Sequence, residues 1–467
     1  MRMDGRPIRH ARVPHTVDPA TNEGRRASRS ACAVLASVLV LGLAGIVQAQ
    51  PGAASDASRN ALASEMDAFL RTHVLDPRFP RCVDTERGGF HTNYARDWTP
   101  REDRTRFIVY QARVMWTAAT VARLRPALRD EYLRYVRHGV RYLADVMWDR
   151  EHGGFHTQVD LSGRAAPGDF PRSRPVYGQA FAVYALAAAY AATGDAEPLD
   201  LARRAWEWIE AHYRDDLGPG YRSAVKPDGA PFPPAVADGG GDRESIEAPA
   251  IVRTMNDHIH LLEAYSELYR QWRDPVLRQR VEDLLAFVRD RLFVEPGCLY
   301  FALRPDGRPV PAPVSFGHDV ETAFLMIEAD VALGRAPSPA TRRAARMLVD
   351  HAIARGFDET RGQLYELGSA YGAPVDRSVQ WWAQFEAWNA FFLMADLSVT
   401  DDARYRDAAT KAWALTRDRF ADAGHPGVCP QMNEDGTVRC DSKSHQWFVS
   451  YHTARALLFT ADRLRRR

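Results

Sequence analysis

Several short stretches of this sequence carry acid–base side chains at spacings that put them on one face of a helix. In "SFGHDVETAFL" (315–325), His318 and Glu321 are three apart and share a face, with Asp319 turned away. In "MNDHIHLLEAY" (255–265), Asn256, His260 and Glu263 share a face and His258 points elsewhere. "SYHTARAL" (450–457) pairs His452 with Arg455 shortly after Trp447, and "WWAQFEAW" (381–388) pairs Trp382 with Glu386 beside Trp381. "VYQARVMW" groups Arg113 with Tyr110 and Trp116, and "PVYGQAFAVY" groups Tyr177 with Phe181. Imidazoles give and take protons near neutral pH. Indoles offer flat apolar faces, and carboxylates, amides and an arginine bind hydroxyls, so together they suit a sugar.

A lone histidine or glutamate on an apolar helix is ordinarily a hydrogen-bonded core group. Five helices in register, each with an ionisable group beside an aromatic ring, are different, because burying so many without a shared purpose is costly. The pattern therefore predicts one common cavity. His258-x-His260 would suit a metal only on a strand, and "LLEAYSELYRQW" continues it as a helix, so no metal site is expected. The cysteines form no CxxC pair or compact Cys/His cluster, and no glycine loop suits a dinucleotide or phosphate, so no cofactor is expected.

The elements that must position these residues are helical. "FIVYQARVMWTAATVARL", "YGQAFAVYALAAAYAA", "NDHIHLLEAYSELYRQW" and "WWAQFEAWNAFFLMADL" carry apolar residues at i, i+3, i+4 and i+7, and strand-length alternation is almost absent. Turn-like glycines recur at Gly88, Gly153, Gly218, Gly297, Gly362 and Gly427, spaced 65, 65, 79, 65 and 65. A second series, Arg113, Gln179, His258, His318, Gln384 and His452, follows at similar spacing on the helices. Six two-helix units closing into an all-α, (α/α)6 barrel are expected over 50–467 as one domain. A linear solenoid is the alternative, but its end units would be polar caps. The third unit carries a Gly/Pro/Asp-rich insertion, "SAVKPDGAPFPPAVADGGGDRES", which reads as a surface loop. His91 and His156, in the two "GGFHT" turns, read as structural.

The 467 residues are 46% hydrophobic and 26% charged, with 61 Lys+Arg against 60 Asp+Glu, which argues against a nucleic-acid-binding surface. Residues 1–49 read as a signal segment: Arg25, Arg26 and Arg29 precede an apolar run that ends in Val47-Gln48-Ala49. Export with cleavage after Ala49 is expected, leaving a periplasmic or secreted protein with no membrane contact; an uncleaved anchor is the alternative. Cys82, Cys298, Cys429 and Cys440 then remain, and Cys429–Cys440, eleven apart, is the favoured disulfide among three pairings.

In order and spacing, "MNDHIHLLEAY", "GHDVE", "WWAQFEA" and "YHTAR" resemble the N-acylglucosamine 2-epimerase superfamily, nearest to its cellobiose 2-epimerase branch. The resemblance implies an (α/α)6 barrel, His318 and His452 as the general acid/base pair, and a sugar site lined by Arg113, Tyr177, Asn256, His260, Glu263, Glu321, Trp381, Trp382, Glu386 and Trp447. The chain departs from that branch at "WFVSYHTAR", where W-K-x-P-Y-H-N is usual, and at "RSVQWW", which lacks a preceding lysine. Both bear on which sugar is taken.

Inverting the carbon beside an aldehyde needs a proton removed from one face and returned to the other, which two histidines on opposite sides of a cavity can do. Arg113 and His260 would hold the enediolate oxygen, and Glu321 would fix the tautomer of His318. Return of the proton to C1 instead makes a ketose, so 2-epimerase and aldose–ketose isomerase are one expectation, on cellobiose, an N-acylglucosamine or a mannose-like sugar. Two alternatives stand beside it: an exported (α/α)6 glycoside hydrolase using paired carboxylates, and a non-catalytic sugar-binding protein. A monomer or homodimer is expected.

Overall fold

The computed structural model describes residues 56–166, 170, 172–232, 252–398 and 402–466. Six helices form an inner ring: α2 (Ile108–Leu124), α4 (Val176–Thr193), α6 (Met255–Gln271), α8 (Phe316–Ala332), α10 (Trp381–Leu397) and α12 (Tyr451–Arg465). Six more stand outside them: α1 (Asp56–Phe69), α3 (Arg129–Tyr142), α5 (Ala196–His212), α7 (Pro275–Phe287), α9 (Pro339–His351) and α11 (Asp402–Leu415). Each inner helix packs on the next, α12 returns to α2, and α1 backs α12. The ring is closed, an (α/α)6 barrel and not an open solenoid.

Sequence accounts for the two rings. The inner helices are apolar or small almost all round, and nearly every residue of α2 and α4 is buried. The outer helices are one-sided: α3 buries Tyr132, Tyr135, Val136, Gly139 and Val140, the three- and four-residue stripe of an amphipathic helix. Caps start several of them. The Asp274 side chain accepts from the N–H groups of Val276 and Leu277 ahead of α7, and Ser338 accepts from Thr341 ahead of α9, each followed by proline at the first helical position.

A repeated clamp joins each glycine turn to its inner helix. The fourth residue of α2, Gln111, accepts from the Phe90 N–H at 2.7 Å and donates to its carbonyl at 2.8 Å. Gln179 does the same to Phe155 from α4, and Gln384 accepts from Leu364 N–H from α10. In α6 the place is taken by His258, whose Nε2 accepts from Tyr221 N–H at 2.9 Å, and in α8 by Asp319, which accepts from Leu299 N–H. In α12 it is Ala454, and beside that hairpin's turn the Cys429–Cys440 disulfide is formed as expected, with Cys82 and Cys298 free and buried. The polar series read from sequence thus mixes two roles: Gln179, His258 and Gln384 hold turns, whereas Arg113, His318 and His452 face the barrel's centre. The glycines are needed where rings press on the turn: Gly154 has φ +68°, and a Cβ there would lie 2.7 Å from the Trp208 ring.

Short antiparallel ladders of two or three residues join the loops at one end of the barrel. They are too short for a period-two pattern, which is why the sequence reads as helix alone. The signal segment 1–49 and most of the third unit's insertion lie outside the described residues. Among the described residues no helix is long and apolar enough to cross a membrane.

His258 is wholly buried. Burial outweighs its bond to the Thr254 carbonyl and lowers its pKa from 6.5 to about 3. The unfolded chain therefore binds the extra proton first, and stability falls as pH drops from 6.5 towards 3, by about 2 kcal/mol at pH 5 from this group. Glutamine does the same work in three sister helices. His258→Gln is therefore expected to fold and to lose less stability between pH 6.5 and 5, read by urea denaturation; an unchanged pH dependence would contradict the clamp.

Candidate active site

All six inner helices deliver side chains from their N-terminal turns to one central cavity of about 350 Å³. First-turn residues Tyr177, Asn256, His318, Trp382 and His452 stand around it, and second-turn residues Arg113, His260 and Glu321 reach it from below. Trp381 and Trp447 complete the part foreseen from sequence. The two histidines expected to act together do share this cavity: the Trp382 ring lies 4.6 Å from the His318 ring and 5.5 Å from the His452 ring, centroid to centroid.

Beneath them lies a buried charge cluster. The Arg455 guanidinium donates to Glu263 from α6 at 2.5 Å, to Glu386 from α10 at 2.5 Å, and to Glu321 from α8. Glu263 also accepts from the Tyr451 hydroxyl at 2.5 Å and meets His260 Nδ1 at 3.0 Å. Glu386 lies 2.9 Å from His452 Nδ1. Burial opposes charge throughout. It raises the carboxyl of Glu386, whereas in Glu263 the Arg455 charge and the hydrogen bonds overcome it and hold the pKa at about 2.

Three expectations change here. Glu263 and Glu386 do not line the cavity: Glu263 is a turn deeper and Glu386 is covered by His452, and both brace the floor. Glu321 does not serve His318. It bonds Arg455 and lies 3.7 Å from His452 Nδ1, while His318 Nδ1 meets the Ser315 hydroxyl at 2.8 Å. The formal charge across the barrel outweighs a neutral neighbour on the same helix. Tyr110, grouped with Arg113 by spacing, instead binds Ser444 and Arg78 away from the cavity.

Phe301, Glu366 and Gln380 line the cavity and were not foreseen. The first two sit in loops, where no helical periodicity marks a face; Gln380 directly precedes the paired tryptophans, and that position was its only signal.

Electrostatically, the cavity favours uncharged imidazoles. Burial lowers His318 to about 4, against the pull of Glu321, and holds His452 well below 6.5. An ionised Glu386 can only accept, so His452 carries its hydrogen on Nδ1 and leaves Nε2 bare. Arg113 donates to the Tyr177 hydroxyl at 2.7 Å and lies 4.3 Å from the Phe181 ring centroid. Asn256 Oδ1 is buried without a protein partner, ready for a ligand hydroxyl. Six helix N-termini add partial positive charge around the same space. Glu321, Glu386 and His452 are close enough to share a cation, but Arg455 donates to both carboxylates and supplies that charge itself.

A closed (α/α)6 barrel whose helix N-termini surround paired imidazoles, indoles and an arginine is a carbohydrate-handling scaffold with acid–base capacity. The family model for N-acylglucosamine 2-epimerase matches residues 88–235 and 237–456. The chain belongs to that family. It is 29% identical over 403 residues to a cellobiose 2-epimerase of Bacteroides fragilis, covering 84% of this chain and 97% of the relative. It is also 29% identical over 303 residues to a D-mannose isomerase of Thermobifida fusca, covering 61% of this chain and 68% of that one. The solved cellobiose 2-epimerase of Spirochaeta thermophila superposes with a TM-score of 0.76 at 29% identity, over 87% of this chain and 98% of that chain. These relatives make the protein a carbohydrate epimerase/isomerase by class.

Arg455→Met would leave three buried carboxylates around an uncharged side chain. A loss of about 3–5 kcal/mol is expected by chemical denaturation, with part recovered when Glu386→Gln is added. Equal stability of Arg455→Met and the parent would contradict the central role of the guanidinium.

Proposed function

We propose that the protein interconverts free sugars at the reducing end, as a 2-epimerase or aldose–ketose isomerase, by proton transfer between His452, His318 and an enediolate. The observation that carries this reading is the placement of both imidazoles against one indole in a single cavity. His452 is the better base in the uncharged site: Glu386 holds the hydrogen on Nδ1, so the bare Nε2 takes the proton from C2. The charge that forms on the imidazole then lies beside Glu386 and Glu321. The enediolate oxygen is met by Arg113, by His260 and by the helix N-termini. Proton return to C2 from the other face gives the epimer, through a His318 that takes a proton from solvent once the enediolate's negative charge lies beside it, while His452 gives its own back to solvent; return to C1 gives the ketose.

The hydrolase alternative needs two carboxylates flanking a glycosidic bond. The three inner-helix glutamates instead converge on one guanidinium. A non-catalytic sugar binder has no use for two imidazoles held uncharged. Export is supported by the signal-like segment 1–49, and the Cys429–Cys440 disulfide suits an oxidising compartment.

Incubation in heavy water with cellobiose, mannose, glucose or N-acetylglucosamine is expected to exchange the C2 proton, read by NMR. His318→Ala and His452→Ala are each expected to lower turnover about 10²- to 10⁴-fold with the fold retained; parent-like activity in either removes it from the pair. Release of monosaccharide from cellobiose without exchange would favour hydrolysis. N-terminal sequencing of the exported protein is expected to begin at Gln50, and an intact N-terminus would contradict cleavage.

A further inference from the structure

The residue before a helix is the place from which a side chain caps the first turn. Thr254 does this for α6: its hydroxyl accepts from the Asp257 N–H at 3.1 Å and donates to the Asp257 carboxylate. Ser315 holds the same place before α8, and serine is among the best capping residues. Its side chain nevertheless caps nothing. Backbone holds the start of α8 instead: Val314–Ser315 pairs with Leu367–Gly368, and the Phe316 N–H donates to the Glu366 carbonyl at 3.3 Å. The Ser315 hydroxyl turns to the third helical residue, His318, whose Nδ1 lies 2.8 Å from it.

One hydrogen has to be placed in that contact. Ser315 is 7% exposed, and His318 Nδ1 is the sole hydrogen-bond partner of its hydroxyl among the described residues. If Nδ1 carried the ring hydrogen, the hydroxyl would accept it, and its own hydrogen would be buried without an acceptor, which is costly. Donation from the hydroxyl to a bare Nδ1 leaves neither group unpaired, and it puts the hydrogen of the uncharged ring on Nε2. Glu386 does the opposite to His452, since a carboxylate only accepts and so keeps the hydrogen on Nδ1.

We infer that Ser315 is a positioning residue: it holds His318 with its hydrogen on Nε2, the tautomer opposite to that of His452, so that one imidazole starts as acceptor and the other as donor. This rests on reading the two rings as the acid/base pair. A hydroxyl suits the acid because it can also reverse its role. The solvent proton that charges His318 adds at Nδ1, and Ser315 then turns from donating to accepting. The electron pair of the enediolate takes the Nε2 hydrogen to form the C2–H bond, the carbonyl re-forms at C1, and the ring is left uncharged with its hydrogen on Nδ1. Loss of that hydrogen to solvent and gain of one at Nε2 restore the start. A carboxylate in the place of Ser315 would hold Nδ1–H throughout, stabilise the charged ring and weaken it as an acid.

The test is nitrogen NMR of the intact, imidazole-labelled protein at pH 7 without substrate, with His318→Ala identifying the signal. His318 is expected to be uncharged with its hydrogen on Nε2. Ser315→Ala is expected to lose that preference and to lower kcat roughly ten-fold with KM within about two-fold, less than the loss of a positioned acid itself. Ser315→Thr keeps the hydroxyl and is expected to restore both the signal and kcat. A hydrogen on Nδ1 in the parent, an unchanged tautomer in Ser315→Ala, or a Ser315→Thr no better than Ser315→Ala would overturn the inference. The parent spectrum is decisive even where a variant fails to fold. C2 exchange in heavy water is measured separately. Nε2–H on His318 without C2 exchange would fault the proposed chemistry and leave the serine's hold on the ring standing; exchange with His318 carrying Nδ1–H would do the reverse.

Discussion

The structure turns on one guanidinium. Arg455, wholly buried on the last inner helix, binds glutamates from α6, α8 and α10, so four of the six inner helices meet at one charged point. Buried ion pairs contribute little net stability, because desolvation cancels most of the attraction. What such a cluster does well is fix geometry, since any helix that shifts strands a carboxylate in an apolar interior. Here it sets the floor of the cavity, and through Glu386 it sets the ring of His452 directly above.

The site's reactivity follows from what surrounds that floor. Burial works against charge on both imidazoles, so they rest uncharged and ready to accept a proton. In the proposed reaction the negative charge that develops on a sugar oxygen is met by Arg113 and by the helix N-termini, which the closed ring gathers on one space. The three inner-helix carboxylates are bound by Arg455, so of the cavity's lining carboxylates Glu366 alone lies outside that cluster, one short of the pair a hydrolase needs. This arrangement supports the proposed proton transfer at carbon over attack on a glycosidic bond.

Much of this was legible in the sequence, for a definite reason. A helix repeats its faces every three or four residues, so spacing alone grouped His260 with Glu263 and placed His318, Trp382 and His452 at corresponding points of their helices. The unit length of about 65 residues fixed the number of hairpins, and apolar ends argued for closure. What spacing cannot carry is a partner on another helix. Glu321 was assigned to His318, its neighbour, because its bond to Arg455 exists only once α8 and α12 meet across the ring. The same limit hid the split between turn clamps and cavity residues: Gln179 and Arg113 look alike in sequence, and only the position of the turn backbone separates them. Phe301 and Glu366 come from loops, where side-chain direction is set by ladder pairing and not by a local period.

The Arg455 cluster, through Glu386, holds His452 with its hydrogen on Nδ1 and a bare Nε2 in the cavity. Nitrogen NMR of imidazole-labelled protein at pH 7, with His452→Ala identifying the signal, reads this directly. An uncharged ring protonated at Nδ1 alone is expected. A ring protonated at Nε2, or at both nitrogens, would contradict it.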